Sequence, residues 1–142
     1  MKTILLFFGI LLLNFSCSEK IDSNKILLET DSDKIFLENQ DREYAISELQ
    51  NALKNNKIVP ESEINYTAKP IPDSKSAVNI AEKILFEVYG KEEIKEQRPY
   101  NVVFQDDYWI INGTQAKPAI GGVFLIIINS KDGKIIELIH GE

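Results

Sequence analysis

The run GGVFLIIINSKDGKIIELIH, residues 121–140, decides the fold of this chain. Its six consecutive apolar residues, 123–128, are typical of a strand that is covered on both faces or lies at an interface. The SKDG segment that follows predicts a hairpin turn, with Gly133 at a position that adopts a positive φ. The next apolar run predicts a partner strand, so residues 122–129 and 134–140 are expected to pair in antiparallel fashion.

Two further strands precede this pair. In residues 100–105 (YNVVFQ) large apolar side chains alternate along the chain, which is the period of a half-buried strand. Asp106 and Asp107 predict a tight turn, and residues 108–114 predict the next strand. Because all the connections are short, the four strands are expected to form an antiparallel meander.

An amphipathic helix is predicted to cover one face of this sheet. The segment SKSAVNIAEKILFEVY, Ser74–Tyr89, carries an apolar stripe at helical spacing, with Asp73 or Ser74 suited to the N-cap and Gly90 to the C-terminal stop. The stripe consists of Ala77, Ala81, Ile84, Leu85 and Val88. Residues 73–142 are therefore predicted to form an α+β domain, with the helix packed on a curved four-stranded antiparallel sheet.

A second helix is predicted before this domain. Residues 43–55 (EYAISELQNALKN) repeat apolar side chains at helical spacing, which indicates an amphipathic helix that packs on the sheet or beside the main helix. Pro60, Pro70 and Pro72 then mark an extended linker. Residues 43–72 are thus expected to be a helix followed by a proline-containing linker.

The N-terminus has the pattern of a bacterial lipoprotein signal. An apolar run of ten residues, 4–13, is too short to span a bilayer but fits a secretory signal, and Ser16 and Cys17 follow it. This arrangement resembles the lipobox of lipoproteins, in which the cysteine is lipidated and becomes the mature N-terminus. Residues 1–16 are therefore predicted to be the signal peptide, Cys17 the lipid attachment site, and residues 17–42 a polar tether. The alternative is a plain secretory signal with an incidental cysteine. The alternative for the tether is a β-hairpin built on its two short apolar islands, residues 26–28 and 35–37.

The composition excludes several classes of function. The 142 residues carry a net charge of −6 and form no basic cluster, so binding to nucleic acid is not expected. One cysteine and one histidine exclude an intramolecular disulfide and a Cys/His metal site. No cofactor is expected, and the predicted partners are a protein and, through Cys17, a membrane.

No residue pattern in the sequence points to catalysis. His140, the one imidazole, has no Ser or Cys nucleophile near it in the sequence, so we expect it to be structural or exposed. Tyr108, Trp109, Gly121 and Gly122 are the candidate protein-binding surface, since aromatic anchors on a sheet are typical of interfaces. The alternative for the two aromatic residues is a place in the core.

A set of short motifs carries a family resemblance. In order along the chain they are AEK at 81–83, YG at 89–90, Pro99, WIINGT at 109–114, GGV at 121–123, and DGKII at 132–136 with HG at 140–141. Residues 76–142 with this ordered set resemble the immunity-protein family with a nuclear transport factor 2-like fold. The resemblance implies a cone-like α+β sheet that cradles a helix, as in cystatin-like and nuclear transport factor 2-like folds. It also implies neutralisation of a toxin of a bacterial polymorphic toxin system.

Three functions remain open from the sequence. The first is a non-enzymatic lipoprotein, exported and lipid-anchored to a bacterial membrane on its periplasmic or outer-membrane side, that binds another protein and so acts as an immunity protein. The second is a PepSY-like envelope or protease-inhibitory module, which also ends in an Asp-Gly hairpin. The third is a small cone-fold enzyme, which a concave pocket lined by two or more polar side chains would favour.

Overall fold

The computed structural model describes residues 35–56, 58–60, 63–64, 66–115 and 121–141. Within these ranges five strands and three helices form one α+β assembly. In chain order they are β1 (Phe36–Glu38), α1 (Arg42–Lys54), α2 (Ser74–Tyr89), α3 (Lys91–Lys95), β2 (Tyr100–Gln105), β3 (Tyr108–Asn112), β4 (Phe124–Asn129) and β5 (Ile135–His140).

The sheet has five strands, and the prediction of four is wrong. Their spatial order is β1-β2-β3-β4-β5, with β1 parallel to β2 and the other pairs antiparallel. The extra strand, β1, belongs to the segment that the sequence placed in the tether. The backbone N–H of Tyr100 donates to the carbonyl of Ile35 and that of Asn39 to the carbonyl of Val102, both at 2.9 Å. These bonds and the burial of Phe36 supply the stability that three residues cannot have locally.

The turns of the meander form as their residues predict. Asp106 and Asp107 both take a positive φ, 49° and 69°, as a two-residue hairpin turn of type I′ requires. Gly133 closes the last hairpin with a φ of 75°. Its N–H donates to the carbonyl of Asn129 at 2.8 Å, which fixes the register between β4 and β5.

Helix α2 covers one face of the sheet, as predicted, and seals it with apolar side chains. Side chains from β1 to β5 alternate between two faces, and those on the α2 face are mainly apolar where they meet the helix. The main core combines this face with α2, α3 and parts of the linker. It contains Phe36, Ile64, Ile71, Ala77, Val78, Ala81, Ile84, Leu85, Ile94, Tyr100, Val102, Ile111, Phe124, Ile126, Ile128 and Ile135.

Helix α1 covers part of the opposite face. Ala45, Leu49 and Ala52 are the buried stripe of α1. They pack on a second, smaller core formed by Val103, Ile110, Leu125, Ile127 and Ile136. Strand β4 is therefore apolar on both sides because both sides are covered, as its six-residue run predicts.

The proline-containing linker is part of the fold rather than a loose connection. The N–H of Val59 donates to the carbonyl of Ile135 at 2.9 Å, and the N–H of Ile71 donates to the carbonyl of Ser130 at 2.8 Å. The charged segment after Gly90 forms the short helix α3, which buries Ile94 completely. None of the helices described here is long and apolar enough to cross a membrane.

Candidate protein-binding groove

A groove opens on the α1 face, between the first turn of α1 and the end of the sheet where β2 begins and β3 ends. It has a volume of about 900 Å³. The groove is lined by Asp41, Arg42, Glu43, Tyr44, Asn101, Asn112, Gly113, Thr114, Gln115, Gly122 and Val123. Most of these side chains are polar, in contrast to the apolar surfaces that pack elsewhere on the sheet.

The floor of the groove is a pair of buried amide side chains. Asn101 and Asn112 lie opposite each other on β2 and β3, and they are only 3% and 6% exposed. The Nδ2 of Asn101 donates to Oδ2 of Asp41 at 3.1 Å, and the Nδ2 of Asn112 donates to the carbonyl of Gly113 at 3.0 Å. Oδ1 of Asn101 is buried and has no hydrogen-bond partner. An unpaired buried acceptor is costly, so this amide is the chemically unsatisfied point of the groove.

The residue before α1 does not cap the helix. Asp41 has a left-handed backbone, with φ 47° and ψ 39°, and its side chain makes no capping bond. Its carboxylate instead accepts the bond from Asn101. The first turn of α1 thus directs an acidic group at the floor of the groove.

Two other residues of the first turn line the walls. Arg42 donates from Nη1 to Oδ1 of Asn39 at 3.0 Å and from Nη2 to Oε1 of Gln105 at 2.5 Å. Tyr44 is 46% exposed, and partial burial, reinforced by the charge of Glu48, raises the pKa of its hydroxyl.

Gly122 forms part of the groove wall by close backbone approach. A Cβ added at Gly122 would collide with the backbone of Gly141, so only glycine fits where these two segments cross. Gly121, the other glycine of the predicted surface, is exposed and has a φ of 134°. Both glycines therefore stand at the end of the sheet that contains the groove.

Tyr108 and Trp109 stand at the other end of the sheet and point to opposite faces. Tyr108 lies opposite Asn129, whereas Gly122 precedes the start of β4. Trp109 packs against the main core and donates from Nε1 to the carbonyl of Ile71 at 3.2 Å, while Tyr108 packs against the smaller core. The four residues singled out by sequence thus do not form one continuous surface.

His140 lies in a structural cluster with Gln97. Its Nδ1 is 2.8 Å from the carbonyl of Gly141, so Nδ1 carries the proton, and in the neutral ring Nε2 accepts from Nε2 of Gln97 at 2.8 Å. Oε1 of Gln97 accepts the N–H of Phe124 at 2.9 Å. The ring packs on Tyr89 with centroids 5.1 Å apart. The imidazole therefore joins β5 to the segment after α3, which is a structural role.

A second polar cluster lies beside the main core and is structural as well. Arg98 forms an ion pair with Glu82, whose Oε1 also accepts from the hydroxyl of Tyr100 at 2.8 Å. Burial raises the pKa of Tyr100. Burial acts to lower the pKa of Arg98, but its hydrogen bonds to Glu82 and Tyr100 outweigh that effect and raise it. The cluster links α2 to β2 and faces no cavity described here.

The lipid attachment site predicted from the sequence is not part of the described structure. Cys17, the predicted lipid attachment site, lies outside the described residues. Across the described part of the chain, no group of three or more His, Cys, Asp or Glu side chains is arranged to hold a metal ion.

Three residues of the groove, Asp41, Asn101 and Asn112, are not among those that the sequence patterns predict for a site. The sequence does hold an indication of the two asparagines. Asn101 lies on the same face of β2 as the buried Val103, and Asn112 lies on the same face of β3 as the buried Ile110. Amide side chains at inward positions of two neighbouring strands indicate a buried polar site. The approach of Asp41 depends on β1, which the sequence did not predict.

Comparison with known proteins finds a family match within the second half of the chain. Residues 76–142 match the family described as NTF2 fold immunity protein. This stretch contains nearly all of α2 and everything to the end of β5, and the α+β arrangement of helices on a sheet is consistent with that fold. The resemblance inferred from the motifs is thereby confirmed for these residues. Proteins of that family are generally non-enzymatic.

Two proteins of Escherichia coli (strain K12) are similar to this chain. The uncharacterized protein YhhH is 34% identical over 84 residues, which are 58% of this chain and 66% of that protein. The uncharacterized protein YbbC is 31% identical over 67 residues, which are 46% of this chain and 55% of that protein. The chain thus spans less than two thirds of the length of either relative. No solved structure matches it significantly.

Proposed function

We propose that this protein is a non-enzymatic immunity protein that neutralises a bacterial toxin by binding it. The observation that carries the proposal is the match of residues 76–142 to the NTF2 fold immunity protein family. The chemistry of the described residues supports it, because His140 is occupied in a structural cluster and the polar side chains of the groove are amides, hydroxyls, two carboxylates and one arginine. A groove of this kind offers recognition by hydrogen bonds rather than a nucleophile with its base.

A protection assay tests this function. The candidate toxin is the product of a gene adjacent to the one for this chain. It is expressed in a bacterial host with and without this protein, directed to the same compartment. We expect survival to be restored and the two proteins to co-purify at a fixed ratio. Continued killing by every adjacent candidate, together with no co-purification, would reject the immunity function.

The groove gives the enzyme alternative one supporting observation, since it is concave and lined by several polar side chains. The groups in the described lining that could transfer a proton are the carboxylates of Asp41 and Glu43 and the phenol of Tyr44. A screen against ester, amide and glycoside substrates tests this function. Turnover that disappears in Asp41→Asn and persists in Asp106→Asn would establish an enzyme, and the absence of turnover favours binding.

We also propose that the protein works at the cell envelope, attached through Cys17. The support is the apolar run of residues 4–13 followed by Ser16 and Cys17. Lipid attachment with two or more acyl chains is sufficient for stable anchoring, at about 0.8 kcal/mol per buried methylene. Cys17→Ala is expected to move the protein from the membrane pellet to the soluble envelope fraction. If the variant still pellets after a high-salt wash, the anchor lies elsewhere.

A further inference from the structure

The groove contains an acceptor that is left without a donor. Oδ1 of Asn101 has no hydrogen-bond partner and less than 1 Å² of accessible surface, although Asn101, which is 3% exposed, lines the groove. The opposite assignment of the amide is disfavoured, because it would place an oxygen against the carboxylate of Asp41, 3.1 Å away. What the floor of the groove lacks is therefore a hydrogen-bond donor.

A carboxylate stands beside this acceptor. Asp41 is held by its positive φ and by the bond from Asn101, so that its side chain faces the floor instead of capping α1. Glu43 lies in the same turn and adds a second negative charge to the lining. These acidic groups offset the positive end of the helix dipole, which would otherwise favour an anion.

The one cation of the described lining is held away from the floor. Arg42 is engaged by Asn39 and by Gln105, and Gln105 is four residues beyond Asn101 on β2. At about 3.3 Å per residue, that separation is about 13 Å along the strand. The guanidinium of Arg42 therefore does not satisfy Asn101, and the region beside Asp41 remains acidic.

We infer that this groove binds an arginine side chain presented by the protein partner. A guanidinium offers five donors in a planar fork, which suits the exposed carboxylate of Asp41. A further donor of the same fork meets the oxygen of Asn101 once that amide turns from its buried position towards the groove. The net charge of −6 attracts a basic partner before contact. The inference rests on the proposed function only in taking the partner to be a protein.

The test uses a small probe that does not require the toxin. N-acetyl-arginine methylamide is titrated into the isotope-labelled full chain in neutral detergent, and the side-chain amide signals of Asn101 and Asn112 are followed by NMR. N-acetyl-citrulline methylamide, which has nearly the same shape without the charge, and inorganic phosphate are titrated in parallel. With the arginine probe we expect saturable shifts of both amide signals. We expect the citrulline probe to bind at least about tenfold more weakly, since charge-assisted hydrogen bonds are stronger than neutral ones.

A matched pair of variants tests whether the negative charge of Asp41 is the one that binds the arginine probe. Asp41→Asn and Asp106→Asn remove the same charge from aspartates with nearly the same backbone, φ 47° and φ 49°, at opposite ends of β2. Asparagine tolerates this conformation, so both variants should fold. We expect Asp41→Asn to lower the affinity for the arginine probe about tenfold and Asp106→Asn to change that affinity less than about twofold.

Three outcomes of these titrations overturn the inference: no saturable shifts with arginine, whether or not phosphate gives them, equal affinity for arginine and citrulline, or equal effects of the two variants. Failure of the inferred site differs visibly from failure of the proposed function. A toxin whose binding and neutralisation survive Asp41→Asn would keep the immunity function and reject the arginine site. A saturating arginine probe with no toxin protection would keep the site and reject the immunity function.

Discussion

The two faces of the sheet are closed to different extents. On the α2 face every strand contributes to one apolar core, and a sixteen-residue helix covers it. On the other face α1 covers only the half of the sheet near Ile110 and Ile127, and the remaining half ends in Asn101 and Asn112. The first face therefore supplies stability, and the second combines a small core with an open polar groove. This division places the candidate site where packing is incomplete.

The two main helices begin with aspartates that do different things. Asp73 caps α2, because its carboxylate accepts the N–H of Ser76 at 2.8 Å and the hydroxyl of Ser76 at 3.0 Å. Asp41 stands at the same position of α1 but turns to Asn101. A capping bond of this kind ordinarily stabilises a helix, so α1 gives up that contribution at the groove.

The largest expected loss of stability comes from truncating buried side chains of β4, and it tests whether helices cover both faces of the sheet. Ile126 and Ile127 are adjacent on β4, face opposite sides and are both 0% exposed. Ile126→Ala and Ile127→Ala should each lower the free energy of unfolding by about 2–5 kcal/mol, measured by urea denaturation. Ile139→Ala, at a side chain that is 42% exposed, is the control and should cost much less. A loss at Ile127 as small as that at Ile139 would mean that α1 does not seal its half of the sheet.

The next largest loss of stability is expected at Trp109, and its size distinguishes a core residue from an interface residue. Its ring packs on the main core and its Nε1 donates to Ile71, so Trp109→Ala should cost about 2–4 kcal/mol of unfolding free energy. Trp109→Phe keeps most of the packing and should lose about 1 kcal/mol for the hydrogen bond. Stability close to wild type in Trp109→Ala, together with weakened toxin binding, would instead make Trp109 an interface anchor.

A smaller effect is expected from the polar support behind the groove. Gln97→Leu leaves the buried N–H of Phe124 without its acceptor and should cost about 1–3 kcal/mol. Gln50→Leu, on the exposed side of α1, is the control and should be nearly neutral. Hydrogen exchange at Phe124 measures the local effect, and unchanged protection in Gln97→Leu would contradict the assigned role.

The smallest effect concerns the cap of α2 and its dependence on pH. The backbone hydrogen bond from Ser76 holds the pKa of Asp73 below its ordinary value. A depressed pKa contributes stability that is present above the unfolded pKa, about 3.9, and is lost as the pH falls through the folded value. The melting temperature of Asp73→Asn should therefore lie below that of wild type at pH 6, and the gap should narrow below about pH 4.

Ser76→Ala provides the comparison for this prediction, because it removes the hydroxyl bond and keeps the backbone bond. It should retain most of the dependence on pH that Asp73→Asn abolishes. A gap between wild type and Asp73→Asn that stays constant from pH 6 to pH 3 would show that the charge of Asp73 contributes nothing.

Local patterns predicted the parts of the fold that local interactions decide. The bounds of α2 follow from its stripe, its cap and Gly90, and the hairpin turns follow from Asp106, Asp107 and Gly133. Strand β3 ends at Asn112, earlier than predicted. The N–H of Gly113 still donates to the carbonyl of Phe124 on β4, but the N–H of Thr114 donates to the carbonyl of Gln97, so the chain leaves the sheet there.

The parts that depend on distant partners were not predicted. Strand β1 is three residues long and exists only through its pairing with β2, so its own sequence carries no adequate signal. The groove depends on that strand, because β1 brings Asp41 to Asn101. The sequence separates these two residues widely, and the aromatic pair at 108–109 was the stronger local pattern.

The parallel pairing of β1 also has a kinetic consequence. Strands β2 to β5 can form successively as short hairpins, whereas Phe36 pairs with Tyr100 only after α1, the linker and α2 have been brought into place. Closing so long a loop is slow in comparison with hairpin formation. We therefore expect β1 to dock last during refolding, and a nascent chain to leave Phe36 without this partner until β2 has been made. Asp41 then reaches Asn101 only in the final step, so the groove is completed later than the rest of the molecule.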